Sequence, residues 1–316
     1  MDESQALFAA GIAIGRLDEH VRNSPKRHAL NEWLVRRESM AISAGESLMT
    51  SEVSLAALMI DCQVALISKA DRTAHDISAA IRLAMKWEGE GPTEAEIFEL
   101  WRASERSNVR RAAADHAWSL EKDCAEAAKE IFHLMQSPSP WTAAEAVRRL
   151  WLRGLEDRNF LGGRARRLAM IVALPLIRRG FGLHAPILGI ARELTRDPDQ
   201  LYIDLQSLDT FMPVFLKAIS TTCAITYEAS LKLQRLSIDL TAPFSEERAT
   251  SKLPQSVDEI LAHPIVSVGF LAERLQITTK GAGNILTRLV GSQAIRQLDP
   301  EAKKNIVFVC QKALNL

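Results

Sequence analysis

The chain has 316 residues, and its 39 Lys and Arg balance its 39 Asp and Glu, so the formal net charge is zero. This length can bury a substantial core and predicts more than one domain, because domains cluster near about 100–200 residues. Apolar residues at 47% and charged residues at 25% exclude global disorder, and zero net charge excludes a uniformly basic, histone-like binder but not a local basic patch.

The first 240 residues have helical periodicity. Apolar residues at three- and four-residue steps predict one helix around Leu7–Val21, and Pro25 opens a second helix that runs to about Glu46. Gly162-Gly163 predicts a turn, and Thr142 with Glu145 predicts a capping box. We find no strand pattern before about residue 290. Further helices are predicted over residues 53–67, 74–87, 97–134 (with a start at 92–96), 164–178, 186–194, 198–208 and 212–240.

The sequence also predicts the cellular compartment of the protein and the role of its cysteines. The N-terminus begins with acids where a signal peptide needs a basic stretch, and the most apolar run, Leu168–Ile177, is shorter than the about 20 residues that span a bilayer. We therefore expect a cytoplasmic protein with no membrane partner. Four well-separated cysteines, without metal-ligand spacing, are interpreted as small buried apolar groups: Cys62, Cys124, Cys223 and Cys310.

A change of pattern marks a C-terminal module. Residues 241–255 are polar, with Pro243 and Pro254, and are predicted to be a linker. Residues 256–316 then predict a helix, a second helix capped by Ser267, a turn, a third helix from Thr279 to about Gly291 and two strands. This order is that of a winged helix, in which one helix crosses the phosphate backbone and holds the next in the major groove.

The third helix supplies the candidate DNA-binding residues. The apolar residues of this helix, which include Val290, are predicted to be buried on one face. The other face then carries residue types that read grooves and contact phosphates, namely Thr278, Thr279, Lys280, Asn284, Thr287 and Arg288. Seven Lys and Arg against five acids make the module only mildly basic. A protein-interaction or dimerisation module is therefore the alternative to a DNA reader.

Three passages together resemble the Fic family of AMP- and related nucleotidyl-transferases. Residues 13–18 followed by 36–46 resemble the family's N-terminal segment, GRLD then RREAVASSRIEG, and residues 75–102 resemble the helix pair that follows. Residues 144–208 resemble the family core around the signature loop HPFxDGNGRxGR, and residues 197–202 its later RDEYY helix. The resemblance implies a Fic-like helical bundle over residues 1–240, ahead of the winged helix.

The signature loop departs from the family pattern at its chemistry. The matching stretch is 156–167, in which Glu156 or Arg158 takes the place of the catalytic histidine, depending on a two-residue gap. Phe160 takes the place of the metal-binding acid, or the acid is deleted, and the nearest histidines, His133 and His184, lie outside the loop. The flap strands are also missing. The resemblance thus implies a catalytically degenerate scaffold, with no cofactor and no metal expected.

Several residues of the family's nucleotide site remain. Gly162, Gly163, Arg164 and Arg167 match the end of the signature at a helix N-terminus, where backbone N–H groups and arginines can hold phosphate. Glu46 matches the family's inhibitory glutamate, which the resemblance pairs with Arg167; a plain ion pair or surface charge is the alternative. Residues 144–196 carry eleven arginines and four acids, either an anion patch or a surface balanced by acids from elsewhere.

These observations favour a mainly α-helical, non-enzymatic, DNA-binding protein of the transcription-regulator kind on a degenerate Fic-like scaffold. The alternatives are a residual nucleotidyl transferase, with Glu156 or another base, and a nucleotide-binding regulatory protein. The expected partners are DNA, a second copy of the chain in a homodimer, and a nucleotide or other phosphate-bearing ligand at the loop.

Overall fold

A computed structural model describes residues 3–62, 67–87, 93–107, 117–184, 189–246, 251–302 and 305–316. The prediction of a mainly helical chain with a small sheet near its C-terminus is confirmed. The helices of the N-terminal body are α1 Glu3–Arg22, α2 Arg27–Gly45, α3 Glu52–Leu58, α4 Lys69–Ala84, α5 Glu94–Ser104, α6 Ala117–Met135, α7 Pro140–Glu156, α8 Ala165–Gly180, α9 Ala191–Leu194, α10 Pro198–Asp204 and α11 Leu208–Thr241.

Side-chain caps fix where several body helices begin. Thr93 and Glu96 form a capping box at the start of α5. The start of α7 differs from the prediction: Ser139, not Thr142, is the N-cap, its partner in the capping box is Thr142, and Pro140 occupies the first turn. The proline fits there because its missing N–H needs no partner at that position. Glu145 lies one turn further on and accepts hydrogen bonds from Arg148 at 2.6 Å and Arg149 at 2.5 Å.

Three predicted helices are shorter than expected. The helix predicted over 53–67 ends at Leu58, where Asp61 takes a left-handed φ of 53° in the turn that follows, and residues 63–66 lie outside the described part. The helix predicted over 97–134 is interrupted by a turn after Ser104, and residues 108–116 are likewise outside. In the range 186–194 only Ala191–Leu194 is helical among the described residues. Periodicity does not reveal such interruptions, because the residues on both sides keep an apolar face.

The core of the body is built around the pair α7 and α8, with α1 packed along α11 and α2 packed along α4. From Arg167 to Ile177, α8 is buried on all sides, which explains the continuous apolar run in its sequence. Helix α11, with 34 residues, is long and apolar enough to cross a bilayer by length and composition. One of its faces packs in the core, and its other face carries exposed charges, namely Lys217, Glu228, Lys232, Arg235 and Asp239.

The C-terminal module has the order of a winged helix. Its elements are α12 Leu253–Ala262, β1 Ile265–Ser267, α13 Val268–Leu275, α14 Thr279–Gly291, β2 Arg296–Gln297, β3 Val307–Val309 and α15 Gln311–Leu314. The strands form an antiparallel sheet in the order β1-β3-β2, with Ile265 opposite Val309. The absence of strands before residue 290 was thus a wrong prediction: β1 has only three residues, too few for an alternating pattern. Val290, predicted to be buried, is 38% exposed.

The module packs closely on the body. Lys26 pairs with Asp258 of α12, and the buried Arg36 of α2 donates to the carbonyl of Ala262 at the end of α12, at 2.6 Å. A second apolar cluster joins Ala57 of α3 to Ile265 of β1. Helix α12 begins at Leu253, inside the range assigned to the linker; Pro254 lies in its first turn, and residues 247–250 are outside the described part.

Candidate functional site

Helix α14 presents a polar face at its N-terminal half. Thr278 is the N-cap, and its Oγ1 accepts from the N–H of Gly281 at 3.1 Å, so the helix begins at Thr279 as predicted. Ala282, Leu286 and Leu289 hold the opposite face in the core. All the candidate DNA-binding side chains are exposed: Thr278, Thr279, Lys280, Asn284, Thr287 and Arg288.

These six residues do not all lie in one place. Lys280, Asn284 and Thr287 follow one another at helical spacing along the outer face of α14. Arg288 is turned away from them, because its guanidinium lies 5.3 Å from the centre of the Phe244 ring, just after α11. The face that could enter a groove therefore runs from Thr278 to Thr287, and Arg288 lies at its edge against the body.

The approach to α14 is shaped by α13 and by the turn between the two helices. Ser267 caps α13 by accepting from the N–H of Phe270 at 3.2 Å, and Gln276 ends it in a left-handed conformation with φ 53°. Gly269 and Gln276 line an open groove beside Thr278 and Thr279. The amide of Gln276 and the hydroxyl groups of Thr278 and Thr279 are side-chain types that contact a phosphate backbone. Glu273 lines the same groove and opposes an anion there.

A second candidate site surrounds the loop between α7 and α8. Phe160–Gly163 forms a short 3-10 turn in which Leu161, Gly162 and Gly163 all have left-handed φ, at 53°, 61° and 76°. A side chain is strained in that conformation, and Leu161 is held in it by two contacts. Its N–H donates to Asp123 at 2.8 Å, and its carbonyl accepts from the indole N–H of Trp101 at 3.0 Å. The loop is therefore fixed by the helices around it.

The two arginines of this loop are already paired with carboxylates. Arg167, 2% exposed, donates through Nε to Oε1 of Glu46 at 2.9 Å and through Nη2 to its other oxygen. Its Nη1 donates to the carbonyl of Ser104 at 2.7 Å and to Glu105. Arg164 donates to the same Glu105 oxygen at 2.8 Å. Two guanidinium groups and two carboxylates thus form a compact neutral cluster, which a phosphate could enter only by displacing a carboxylate.

The residues of the loop do not fit a metal-bound nucleotide. Phe160, which the resemblance without a gap aligns to the family's metal-binding acid, has no ligand atom, is 2% exposed and lies under the guanidinium of Arg153 at 4.2 Å. Glu156 and Arg158, the two candidates at the histidine position, are exposed beside the loop. Gly162 and Gly163 are exposed as well.

Among the described residues, four arginines of the arginine-rich segment, residues 144–196, pair with acids from other parts of the chain. Arg153 pairs with Glu126, and Arg149 pairs with Glu130 at 3.5 Å. Arg178 donates instead to two carbonyls, those of Met85 at 3.1 Å and Trp87 at 2.6 Å. These contacts neutralise part of the net positive charge that the segment has in the sequence.

Sequence reasoning brought Glu46 and Arg167 together but missed two acids of the site. Glu105 and Asp123 lie on either side of a highly charged stretch of sequence and belong to no motif. The one available signal in the sequence was the number of charges: two arginines, Arg164 and Arg167, were predicted at the loop, and Glu46 supplies a carboxylate for only one of them. Of the cysteines, Cys124, Cys223 and Cys310 are buried, as interpreted, and Cys62 is half-buried.

Comparison with known proteins supports both parts of this description. Residues 253–295 match the family model HTH_13, described as an HTH DNA binding domain. Across 98% of the chain, the structure is similar to 95% of a solved Fic family protein from Desulfovibrio desulfuricans G20, with a TM-score of 0.51 and 12% sequence identity. No curated protein sequence matches the chain. The predicted Fic-like fold with a C-terminal helix-turn-helix region is thereby confirmed.

Proposed function

We propose that this protein is a DNA-binding regulator of transcription, in which α14 reads the major groove and the Fic-like body acts without catalysis. The observation that carries the proposal is the outer face of α14. It presents Lys280, Asn284 and Thr287 on a helix that matches a DNA-binding family model. Lysine suits phosphate or guanine, and asparagine suits the donor–acceptor edge of adenine.

The way in which the winged helix packs on the body leaves the outer face of α14 accessible to DNA. Helix α12 and strand β1 face α2 and α3, with Arg36 and Lys26 bridging to them. The groove-reading half of α14 lies away from these contacts and is exposed. The body can therefore hold the winged helix without covering the surface that DNA would meet.

A non-catalytic role for the body is supported by the paired arginines. Arg164 and Arg167 each contact Glu105, and Arg167 also contacts Glu46, so the charges that would hold nucleotide phosphates are neutralised inside the protein. Incubation with ATP labelled on its α-phosphate, with Mg²⁺ or Mn²⁺ and candidate target proteins, is expected to transfer no label. Transfer that is lost in the Arg164→Ala variant would contradict this part of the proposal.

The proposal includes a homodimer, because two winged helices related by a two-fold axis can occupy two half-sites one helical turn apart. Sedimentation velocity of the full chain, with and without bound DNA, measures this directly. A complex of one chain on one half-site would contradict the dimeric part and leave DNA binding itself intact.

The DNA-binding proposal is tested by selection from a random duplex pool with the full chain, followed by gel shifts of the enriched sequences. We expect one enriched motif, bound more tightly than a scrambled duplex of equal length. The Asn284→Ala variant should lose this preference. The matched control is Lys232→Ala on the exposed face of α11, which should bind as the parent does. Failure to enrich any sequence would overturn the proposal.

A further inference from the structure

Three metal-ligating side chains converge where the winged helix meets the body. His28 lies in the first turn of α2, and Glu259 and His263 lie at the end of α12, so the two segments are more than 230 residues apart in the sequence. Their ligand atoms all lie within 4.8 Å of one another. No motif in the sequence announces this group, because only the fold brings α2 and α12 together.

The donor set suits a borderline transition metal. Two imidazoles with one carboxylate are a known ligand set for Zn²⁺, which takes them at about 2.0–2.2 Å and completes a tetrahedron with water. Ligand atoms at tetrahedral angles lie roughly 3.3 Å apart, so the side chains must close slightly around the ion. His28 is exposed and can turn to do so, whereas His263 is buried and fixed.

Ring contacts hold the buried ligand in place. The His263 ring packs edge-on against Phe270, with ring centres 5.1 Å apart, and against His28 at 5.9 Å. His263 is therefore positioned by the fold, and the exposed His28 ring beside it can turn toward an ion.

The positively charged side chain of Arg274 contacts two of the three proposed ligands. The guanidinium of Arg274, on α13, donates to Glu259 at 3.0 Å and lies 3.3 Å from Nε2 of His28. Its side chain is 42% exposed, so it can swing into solvent. One further carboxylate, that of Glu32, is close enough to act electrostatically on both histidines. Its charge is balanced by Arg82, with which it pairs at 2.6 Å.

We propose that His28, Glu259 and His263 bind one divalent transition-metal ion of the Zn²⁺ class, which displaces Arg274 and ties the winged helix to the body. The inference does not depend on the DNA-binding proposal, because all three ligands lie on α2 and α12 rather than on α14. It makes the junction between the two parts of the chain a site of regulation by metal.

The test uses the full chain, stripped with a chelator and titrated with Co²⁺ and with Zn²⁺. We expect one equivalent of Co²⁺ to give the intense visible absorption of a tetrahedral site, one equivalent of Zn²⁺ to abolish it, and Zn²⁺ to raise the melting temperature. His28→Ala and His263→Ala should each weaken binding by at least about tenfold, the loss that even an outer-shell partner causes. His28 is exposed, so its variant keeps the fold.

Two further variants separate this site from adventitious binding. His133→Ala removes an exposed histidine on α6, and Cys62→Ser removes the half-buried thiol; both should bind metal as the parent does. Arg274→Gln should strengthen binding, because the competing guanidinium is gone. Absence of stoichiometric binding would overturn the proposal, and so would binding that is unchanged in His28→Ala and His263→Ala.

Discussion

Glu46 and Arg167 form a two-pronged ion pair across the body, although 121 residues separate them in the sequence. Glu46 follows the last residue of α2, and Arg167 lies in the first turn of α8, so the pair joins an early helix to the central one. Because Glu105 contacts both Arg164 and Arg167, the pair extends into a network that also fixes the end of α5. This network supports the loop between α7 and α8.

Removal of the buried guanidinium should destabilise the whole body. In Arg167→Ala, Glu105 keeps Arg164 but loses its buried partner, so we expect the free energy of unfolding to fall by about 3 kcal/mol. Arg166→Ala is the matched control, since Arg166 lies over the ring of Trp151 at 5.2 Å and its loss should cost only about 0.5–1 kcal/mol. Urea unfolding followed by circular dichroism measures both. Equal losses in the two variants would contradict the network.

The same pair makes a prediction about anions. Phosphate competes with Glu46 for the fork of Arg167, so Glu46→Ala should bind inorganic phosphate, ATP or GTP at least about tenfold more tightly than the parent. Arg164→Ala in that background should remove the gain. Calorimetry with the three ligands tests this prediction. If none of them binds to either protein, the arginines hold only the fold together.

The buried carboxyl of Glu38 should make stability depend on pH. Desolvation raises the pKa of Glu38 to about 7, although the backbone N–H of Ala191 donates to it at 3.0 Å and opposes the shift. In the unfolded chain this carboxyl ionises near pH 4.5, while the folded protein holds its proton until about pH 7. Its contribution to the free energy of unfolding is therefore lost progressively as the pH rises from about 4.5 to 7.

Glu38→Gln removes that titration and provides the measurement. The free energy of unfolding of the variant, relative to the parent, should increase between pH 5 and pH 8, by up to about 3 kcal/mol. The comparison at each pH cancels the titration of all other groups. A difference between the two proteins that is constant across this range would show that Glu38 ionises normally in the fold.

Substitution of Gly283 tests whether the exposed face of α14 contacts DNA. It lies on α14 between Lys280 and Asn284 in sequence, and a Cβ added to it meets nothing within 4 Å. Gly283→Ala should therefore stabilise the helix by about 0.5–1 kcal/mol. If DNA approaches this face closely, the same change should weaken DNA binding. Gly15→Ala on α1 is the control, with equally open space: it should stabilise the protein without any effect on DNA.

The sequence predicted what depends on periodicity and local signals. The bounds of α14, the cap at Ser267 and the turn at Gly162-Gly163 were visible because hydroxyl caps and glycines act within a few residues. The pairing of Glu46 with Arg167 came from the family resemblance, since no local rule connects residues so far apart. Glu105, Asp123 and β1 were missed, because their positions depend on tertiary contacts that leave no periodic trace.

The most direct test of the account is the salt dependence of DNA binding, measured by fluorescence anisotropy with a selected duplex. The parent should bind with an affinity that falls steeply as salt rises. Lys280→Ala should weaken binding to selected and scrambled duplexes alike and lower the slope of log K against log salt by about 1. Asn284→Ala should keep the slope and lose the preference for the selected duplex. Affinities that are insensitive to salt, or unchanged in both variants, would contradict the account.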